Sequence, residues 1–275
     1  MLTVAACQVP ARLGTGDTTE LVSAVREAAA RGARLVVLPE LAVCGYAFAD
    51  AAEARAAAEP LDGPTVALLR DLSAELGCVL VAGLAERGAD GAVHNSAVLV
   101  EAGRLRASYR KVHLWGREPE LFRAGHEPPP VVETAVGRVA LMICYDLEFP
   151  EWVRIAAQAG AEVVAVPANW PWLARPDGER PLEVLRAQAA AGAYRVHVVV
   201  ADRCGPERGV DWIGGSVVCA ATGYLLAGPA TATGATAART VLTAELDPAA
   251  ARDKSLGPHN DALADRRPAL YGEPG

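Results

Sequence analysis

Short runs of branched apolar residues alternate along this chain with longer segments in which apolar residues recur every three to four positions. Runs of the first kind are typical of buried strands, and segments of the second kind are typical of helices that pack on one face. The pattern predicts strands over residues 2–8, 35–38, 78–82, 97–100, 105–109, 139–143, 162–166, 196–201, 216–220, 224–227 and 240–246, and helices over residues 19–30, 64–76, 151–159 and 182–194.

The order of these elements indicates an α/β fold. Strand–helix–strand units occur in both halves, and strands that are mostly apolar runs imply parallel segments joined by right-handed crossovers and covered by helices. Two such halves predict two sheets packed together. Because no linker-like break separates them, we expect residues 1–275 to form a single domain that ends in a polar tail.

Three chemically useful residues stand just after predicted strands. Glu40 follows the strand at residues 35–38, Lys111 follows the hairpin strand that ends at Tyr109, and Cys144 follows the strand at residues 139–143. Ligand chemistry in folds of this kind collects at the carboxyl ends of strands. We therefore expect these three side chains to share one site.

The net charge and the length of the apolar runs limit the kinds of partner that the protein can bind. The formal net charge is -7, the sequence pI is near 5.3, and no run of Lys and Arg could neutralise several phosphates, so we expect no nucleic acid partner. The longest apolar runs fall far short of the roughly 20 residues that span a bilayer. The amino terminus lacks a basic region before its apolar stretch, so we expect a cytoplasmic protein with no membrane segment.

Cysteine and histidine usage argues against metal chemistry. The six cysteines include no C-x-x-C pair, and the five histidines form no H-E-x-x-H motif. In a chain of this length we expect reduced thiols and no metal ion.

Lysine is rare in this chain. Of the 26 Lys and Arg residues only two are lysines, Lys111 and Lys254. Where arginine serves for ordinary surface charge, a lysine can mark a position that needs a compact ammonium. Lys111 therefore becomes a candidate for chemistry.

Each candidate also has a plain structural interpretation. Cys144 could fill the core, Glu40 could be a solvated loop carboxylate, and Lys111 could be a surface cation. Together they supply what amide cleavage through a thioester needs: a nucleophile, a base and a positive donor at the developing oxyanion. His113 and His126 could complete a cysteine–histidine pair, but the pattern around neither indicates one.

The segments around these residues resemble the three motifs of the nitrilase, or carbon–nitrogen hydrolase, superfamily. Those segments are Leu-Pro-Glu-Leu at 38–41 with Gly-Tyr at 45–46, Tyr-Arg-Lys-Val-His-Leu at 109–114, and Ile-Cys-Tyr-Asp at 143–146 with Glu-Phe-Pro at 148–150. The loop at 165–170, the turn at 214–216 and the tail at 260–268 are also similar to that family. The resemblance covers nearly the whole chain.

The resemblance implies a four-layer αββα sandwich, a Glu-Lys-Cys triad of Glu40, Lys111 and Cys144, no cofactor, and homodimers or higher homo-oligomers. It also implies a second active-site glutamate, either Glu118 or Glu120, and spacing favours Glu118. We expect the tail at residues 248–275 to pack at a subunit interface. The predicted substrate-binding residues are Tyr46, Trp115, Tyr145, Asn169 and Trp170.

The sequence also departs from the family pattern. Residues 188–193 read Gln-Ala-Ala-Ala-Gly-Ala where many relatives have Arg-Ala-x-Glu-Asn, and Asp202 stands where an asparagine is common.

The predicted reaction is hydrolysis of a small amide to a carboxylate and ammonia. N-carbamoyl amines, nitriles and a non-hydrolytic role in acyl transfer or binding stay open as alternatives.

Overall fold

The computed structural model describes residues 1–11, 13–14, 16–231 and 238–271, and two six-stranded sheets form its centre. The first sheet has the order β12-β1-β2-β3-β4-β5, with β1 (Leu2–Gln8), β2 (Leu35–Val37), β3 (Val79–Arg87), β4 (Val93–Glu101), β5 (Arg104–Arg110) and β12 (Thr240–Leu246). The second has the order β11-β10-β9-β8-β7-β6, with β6 (Val131–Thr134), β7 (Gly137–Leu141), β8 (Val163–Pro167), β9 (His197–Ala201), β10 (Val217–Cys219) and β11 (Leu225–Ala227).

Six α-helices accompany the sheets in the described part of the chain. They are α1 (Thr19–Ala30), α2 (Ala51–Ala57), α3 (Pro64–Leu76), α4 (Glu118–Leu121), α5 (Pro150–Gln158) and α6 (Leu182–Tyr194). Short 3-10 turns cover Cys144–Glu148, Pro248–Arg252 and Pro268–Leu270, and a small hairpin joins β13 (Ser255–Gly257) to β14 (Asn260–Asp261).

The alternation of side chains along β1 creates the layers. Val4 and Ala6 point into the core shared with the second sheet, whereas Ala5 and Cys7 point into a separate core beneath α1 and α3. On the second sheet, α5 and α6 cover the outer face. The predicted four-layer αββα sandwich is confirmed.

The directions of the strands decide at which edge of its sheet each candidate residue lies. β2 is parallel to β3, and β5 is also parallel to β3 because two successive antiparallel pairings separate them. Glu40 and Lys111 therefore follow strands that end at the same edge of the first sheet. Cys144 follows β7, which is parallel to β8 and β9 in the second sheet.

The helices α2 and α4, the edge strand β6 and the hairpin of β13 and β14 were not predicted from the sequence. The alanine-rich α2 has a weak apolar period, and its amino terminus is fixed by the Asp50 side chain, which accepts hydrogen bonds from the N–H groups of Ala52 and Glu53. The one-turn helix α4 and the short edge strand β6 lie between residues 110 and 137, where the pattern predicts no helix or strand.

The described residues from 252 to 271 lie on the surface. Leu256, Leu270 and Tyr271 are exposed there, and the packing of residues 248–275 at a subunit interface stays a prediction. Within the described ranges, no helix combines the length and the apolar composition needed to cross a membrane.

Candidate active site

Glu40 lies in the interior, just beyond the end of β2. Its side chain is fully buried, and Oε1 accepts hydrogen bonds from Nδ2 of Asn95 and Nζ of Lys111, each at 2.7 Å. The backbone of β3 passes very close, since a Cβ on Gly83 would stand 2.5 Å from Cα of Glu40. No local sequence pattern predicts the roles of Asn95 and Gly83, because both belong to strands distant along the chain.

Lys111 connects two buried carboxylates. Its Nζ donates to Oε1 of Glu40 and to Oε1 of Glu118, each at 2.7 Å, and its side chain has no exposed surface. The main chain of Lys111 is held by hydrogen bonds with Asn95 and Gly125. Its ammonium therefore has a fixed position.

Glu118 is the carboxylate that meets Lys111, and Glu120 is not. Glu118 also accepts hydrogen bonds from the Tyr46 hydroxyl at 2.6 Å and from the N–H of Trp115 at 3.1 Å. Glu120 lies on the exposed side of α4, where it pairs with Arg117.

Cys144 sits on a strained turn. Its φ is 47°, a left-handed value that is uncommon outside glycine, and it begins the 3-10 turn after β7. The Asp146 carboxylate accepts a hydrogen bond from the N–H of Ile143 at 3.1 Å, which closes the turn. The Cys144 thiol faces the carbonyl of Asn169 at 3.8 Å. Strain of this kind is frequent where a side chain must be presented in a fixed direction.

The charges of this cluster act on one another. Burial raises the pKa of Glu40 to about 7 even though Lys111 opposes the shift. Burial also raises the pKa of the Cys144 thiol well above its ordinary value, and Glu40 adds to this effect while Lys111 opposes it. Burial alone would lower the pKa of Lys111, but Glu118 and Glu40 outweigh it and hold that pKa well above its ordinary value. The resting cluster thus combines a neutral thiol with a charged ammonium.

A cavity of about 290 Å³, which we call the Cys144 cavity, opens at the thiol. Of the predicted substrate-binding residues, Trp115, Tyr145, Asn169 and Trp170 line it. The Asn169 side-chain amide is buried without a hydrogen bond to any described residue. Tyr46 instead lines a neighbouring hollow of about 520 Å³, where its ring packs against Trp212 at 5.2 Å.

Comparison with known proteins places the chain in a family. A sequence model described as carbon–nitrogen hydrolase matches residues 3–254. The chain belongs to the carbon–nitrogen hydrolase family. A protein named nitrilase from Pyrococcus abyssi is 36% identical, over 90% of this chain and 89% of its own. An (R)-stereoselective amidase from a Pseudomonas species is 34% identical, over 94% of this chain and 89% of its own.

Solved structures agree with this assignment. An amidase from Nesterenkonia sp. AN1 superposes on this carbon–nitrogen hydrolase with a TM-score of 0.78 at 30% identity, covering 98% of each chain. A variant of that amidase carries acrylamide added to its active-site cysteine. The family resemblance inferred from the motifs is confirmed, and this protein is a hydrolytic enzyme.

Asp146 supports the turn that carries Cys144 in this carbon–nitrogen hydrolase. Besides the N–H of Ile143, its carboxylate accepts hydrogen bonds from the Tyr109 hydroxyl at 2.8 Å and from the N–H of His113 at 3.0 Å. The His113 ring also contacts it, at 2.7 Å, and stacks on Phe149. Sequence reasoning gave Asp146 no role, although it stands only two positions after the cysteine.

A second buried network fixes Tyr46. Glu207 accepts hydrogen bonds from the N–H groups of Tyr46 and Ala47 at 2.8 and 2.7 Å, and it forms an ion pair with Arg203 at 3.1 Å. Gly45 allows this approach, because a Cβ there would stand 2.4 Å from Oε1 of Glu207. Tyr46 is thereby aimed at Glu118.

Asp202 holds the loop that carries Asn169 and Trp170. Its carboxylate accepts hydrogen bonds from the N–H groups of Trp170 at 2.8 Å, Arg203 at 2.9 Å and Gly215 at 2.7 Å. Burial nevertheless raises the pKa of Asp202 to about 7. The other departure from the family pattern, at residues 188–193, lies away from this loop. There the Gln188 side chain donates to the carbonyl of Gly223 at 3.0 Å and so supports the β10–β11 hairpin.

Within the described ranges, no group of three or more His, Cys, Asp and Glu side chains is arranged to hold a metal ion.

Proposed function

We propose that this carbon–nitrogen hydrolase converts small amides to a carboxylate and ammonia through a thioester on Cys144. The observation that carries the proposal is a buried lysine placed between two buried carboxylates, close enough to act electrostatically on a cysteine that lines a cavity. Nucleophile, base and cation are the three groups this reaction needs.

In the first half of the reaction, Glu40 accepts the Sγ proton as sulfur attacks the carbonyl carbon. The Lys111 ammonium stabilises the negative charge that develops on the carbonyl oxygen. Collapse of the tetrahedral intermediate breaks the C–N bond, and the proton held by Glu40 passes to the leaving nitrogen, so that ammonia departs and an acyl group remains on Cys144.

In the second half, Glu40 removes a proton from water, which attacks the thioester carbon. The C–S bond breaks, the carboxylic acid leaves, and the thiol regains its proton from Glu40. Glu118 never meets the acyl group in this scheme. Its role is to position Lys111 and keep it charged, and Tyr46 and the N–H of Trp115 hold Glu118 in turn.

The choice of an amide rests on the relatives. Two of them are named amidases, although another is named nitrilase. N-carbamoyl amines and nitriles could be attacked by the same cysteine, and acyl transfer to an amine acceptor could replace hydrolysis. Those reactions are the alternatives that the experiment must separate.

The test is a screen for ammonia release with matched amides, N-carbamoyl amines and nitriles. We expect the amides to react, and we expect mass spectrometry of the quenched enzyme to find one acyl group on the peptide that contains Cys144. Cys144→Ala should abolish both signals. Cys219→Ala, which removes another buried thiol, should keep them. Turnover of nitriles or N-carbamoyl amines with none of amides, or an acyl group on another residue, would overturn the proposal.

A further inference from the structure

The wall of the Cys144 cavity carries two carboxylates and one closely paired guanidinium. Glu148 ends the 3-10 turn that begins at Cys144, and Glu183 and Arg186 lie in the first turns of α6. The Glu148 carboxylate forms an ion pair with Arg186. The charge of Glu148 is therefore balanced by Arg186, which also lines the cavity.

Glu183 is the other carboxylate. Only 8% of this residue is exposed, it lines the cavity, and no hydrogen bond or ion pair joins its carboxylate to another described residue. A carboxylate in the wall of a cavity that lacks a charged partner among the described residues can pair with a cation that enters the cavity. Its place in the first turn of α6 gives some stabilisation from the helix dipole, which an exposed glutamate would gain as well.

The negative charge of Glu183 is felt by its neighbour. Burial raises the pKa of Glu148, Arg186 lowers it, and Glu183 raises it further. A cation placed beside these two carboxylates would relieve both. Arg175 also lines the cavity, but its Nε donates to the backbone carbonyl of Glu179 at 3.1 Å and forms no ion pair with Glu183.

We infer that Glu183 is a specificity-determining residue that binds a primary ammonium group of the substrate, so that the preferred substrates are amides with an ammonium group at the far end. The inference rests on the proposed amide hydrolysis. The ammonium would donate charge-assisted hydrogen bonds to Glu183, while the amide carbon meets Cys144, which lines the same cavity.

The first test uses pairs of substrates that differ only at the far end. Each ω-amino amide of a length series, from glycinamide to 5-aminopentanamide, is compared at pH 7 with its methyl-terminated isostere and with its carboxylate-terminated analogue. We expect the wild type to favour one ω-amino amide in kcat/KM over both partners. Equal values for the three, or preference for the carboxylate, would overturn the inference.

The second test changes the charge of the wall. In Glu183→Gln we expect the kcat/KM ratio of the preferred ω-amino amide to its methyl isostere to fall by about tenfold to a hundredfold, the effect of losing one hydrogen bond between charged groups. Glu179→Gln removes the same charge four residues away, at an exposed position outside the cavity, and should leave the ratio unchanged. Equal ratios in wild type and Glu183→Gln would contradict the assignment.

A binding measurement separates this inference from the proposed reaction. Calorimetric titration of Cys144→Ala with the same amides reports affinity whether or not the enzyme turns them over. Tighter binding of ω-amino amides, lost in the Cys144→Ala/Glu183→Gln double variant, would support the ammonium site even if wild type released no ammonia. No difference between ω-amino amides and isosteres would overturn it even if amides were hydrolysed.

Discussion

The Nζ atom of Lys111 lies 2.7 Å from Oε1 of Glu40, and neither side chain has exposed surface. The same Nζ atom makes an equally short contact with Glu118. One ammonium therefore serves two carboxylates in a region without solvent, and burial leaves Glu40 with a pKa of about 7. A carboxyl with that pKa can both accept and return a proton near neutral pH.

The first prediction concerns the pH dependence of activity. Glu40 accepts a proton only when it is ionised, so kcat/KM should rise with pH through the Glu40 pKa of about 7 and fall about tenfold per unit well below it. The pH–rate profile with one amide measures this. A profile that stays flat from about pH 5 to pH 8 would contradict the role of Glu40 as base.

Replacing the carboxyl extends that test. Glu40→Gln keeps the shape of the side chain but cannot accept the thiol proton, and we expect kcat to fall by about 10²–10⁴-fold, the typical contribution of a positioned acid/base. Glu120→Gln, which removes an exposed carboxylate on α4, is the matched control and should keep wild-type kinetics.

The two lysines of the chain make a matched pair for the second prediction. Lys111→Arg places a larger planar cation where the side chain has no exposed surface, so we expect loss of kcat by at least about 10²-fold and a lower melting temperature. Lys254→Arg should be tolerated, because that half-buried ammonium donates to the backbone carbonyls of Tyr194 and Arg195, which a guanidinium can also reach. Full activity in Lys111→Arg would contradict the prediction that the reaction needs a compact ammonium at position 111.

The third prediction concerns the Tyr46 hydroxyl. Tyr46→Phe removes the hydrogen bond to Glu118 but keeps the ring contact with Trp212. A hydrogen bond to a charged group is worth about 1.5–3 kcal/mol, so kcat should fall by about tenfold or more with little change in KM. Tyr224→Phe, at an exposed position, is the control. A change confined to KM would instead indicate that Tyr46 contacts the substrate.

The fourth prediction concerns Gly83, whose added Cβ would lie 2.5 Å from Cα of Glu40 and 2.6 Å from N of Leu41. Because both are backbone atoms, we expect Gly83→Ala to lower the free energy of unfolding by about 1–3 kcal/mol and to reduce kcat by moving Glu40. Denaturant unfolding and steady-state kinetics measure the two effects. In Gly88→Ala the nearest atom belongs to the movable side chain of Asp90, so a smaller loss of stability is expected. Equal losses of stability in Gly83→Ala and Gly88→Ala would contradict the close contact between Gly83 and the backbone of Glu40.

The amino-acid sequence by itself determined the elements whose local signals are strong. The strand Leu2–Gln8 and the helix Pro64–Leu76 have the predicted ends, the helix because Pro64 begins it and Gly77, with a φ of 63°, ends it. Hydrophobic period and turn chemistry act over a few residues, so they can be read without tertiary structure. The positions of Glu40, Lys111 and Cys144 after their strands were available in the same way.

Only the tertiary structure decided how those residues are held. Asn95, Gly83 and Glu207 contact the site from strands and loops far away in the sequence, and no local pattern distinguishes them from other polar or small residues. Tertiary packing also selected Glu118 over Glu120 and left Glu183 facing the cavity without a partner among the described residues. Burial and long-range contacts set these features, because the energy of a buried charge depends on which distant groups surround it.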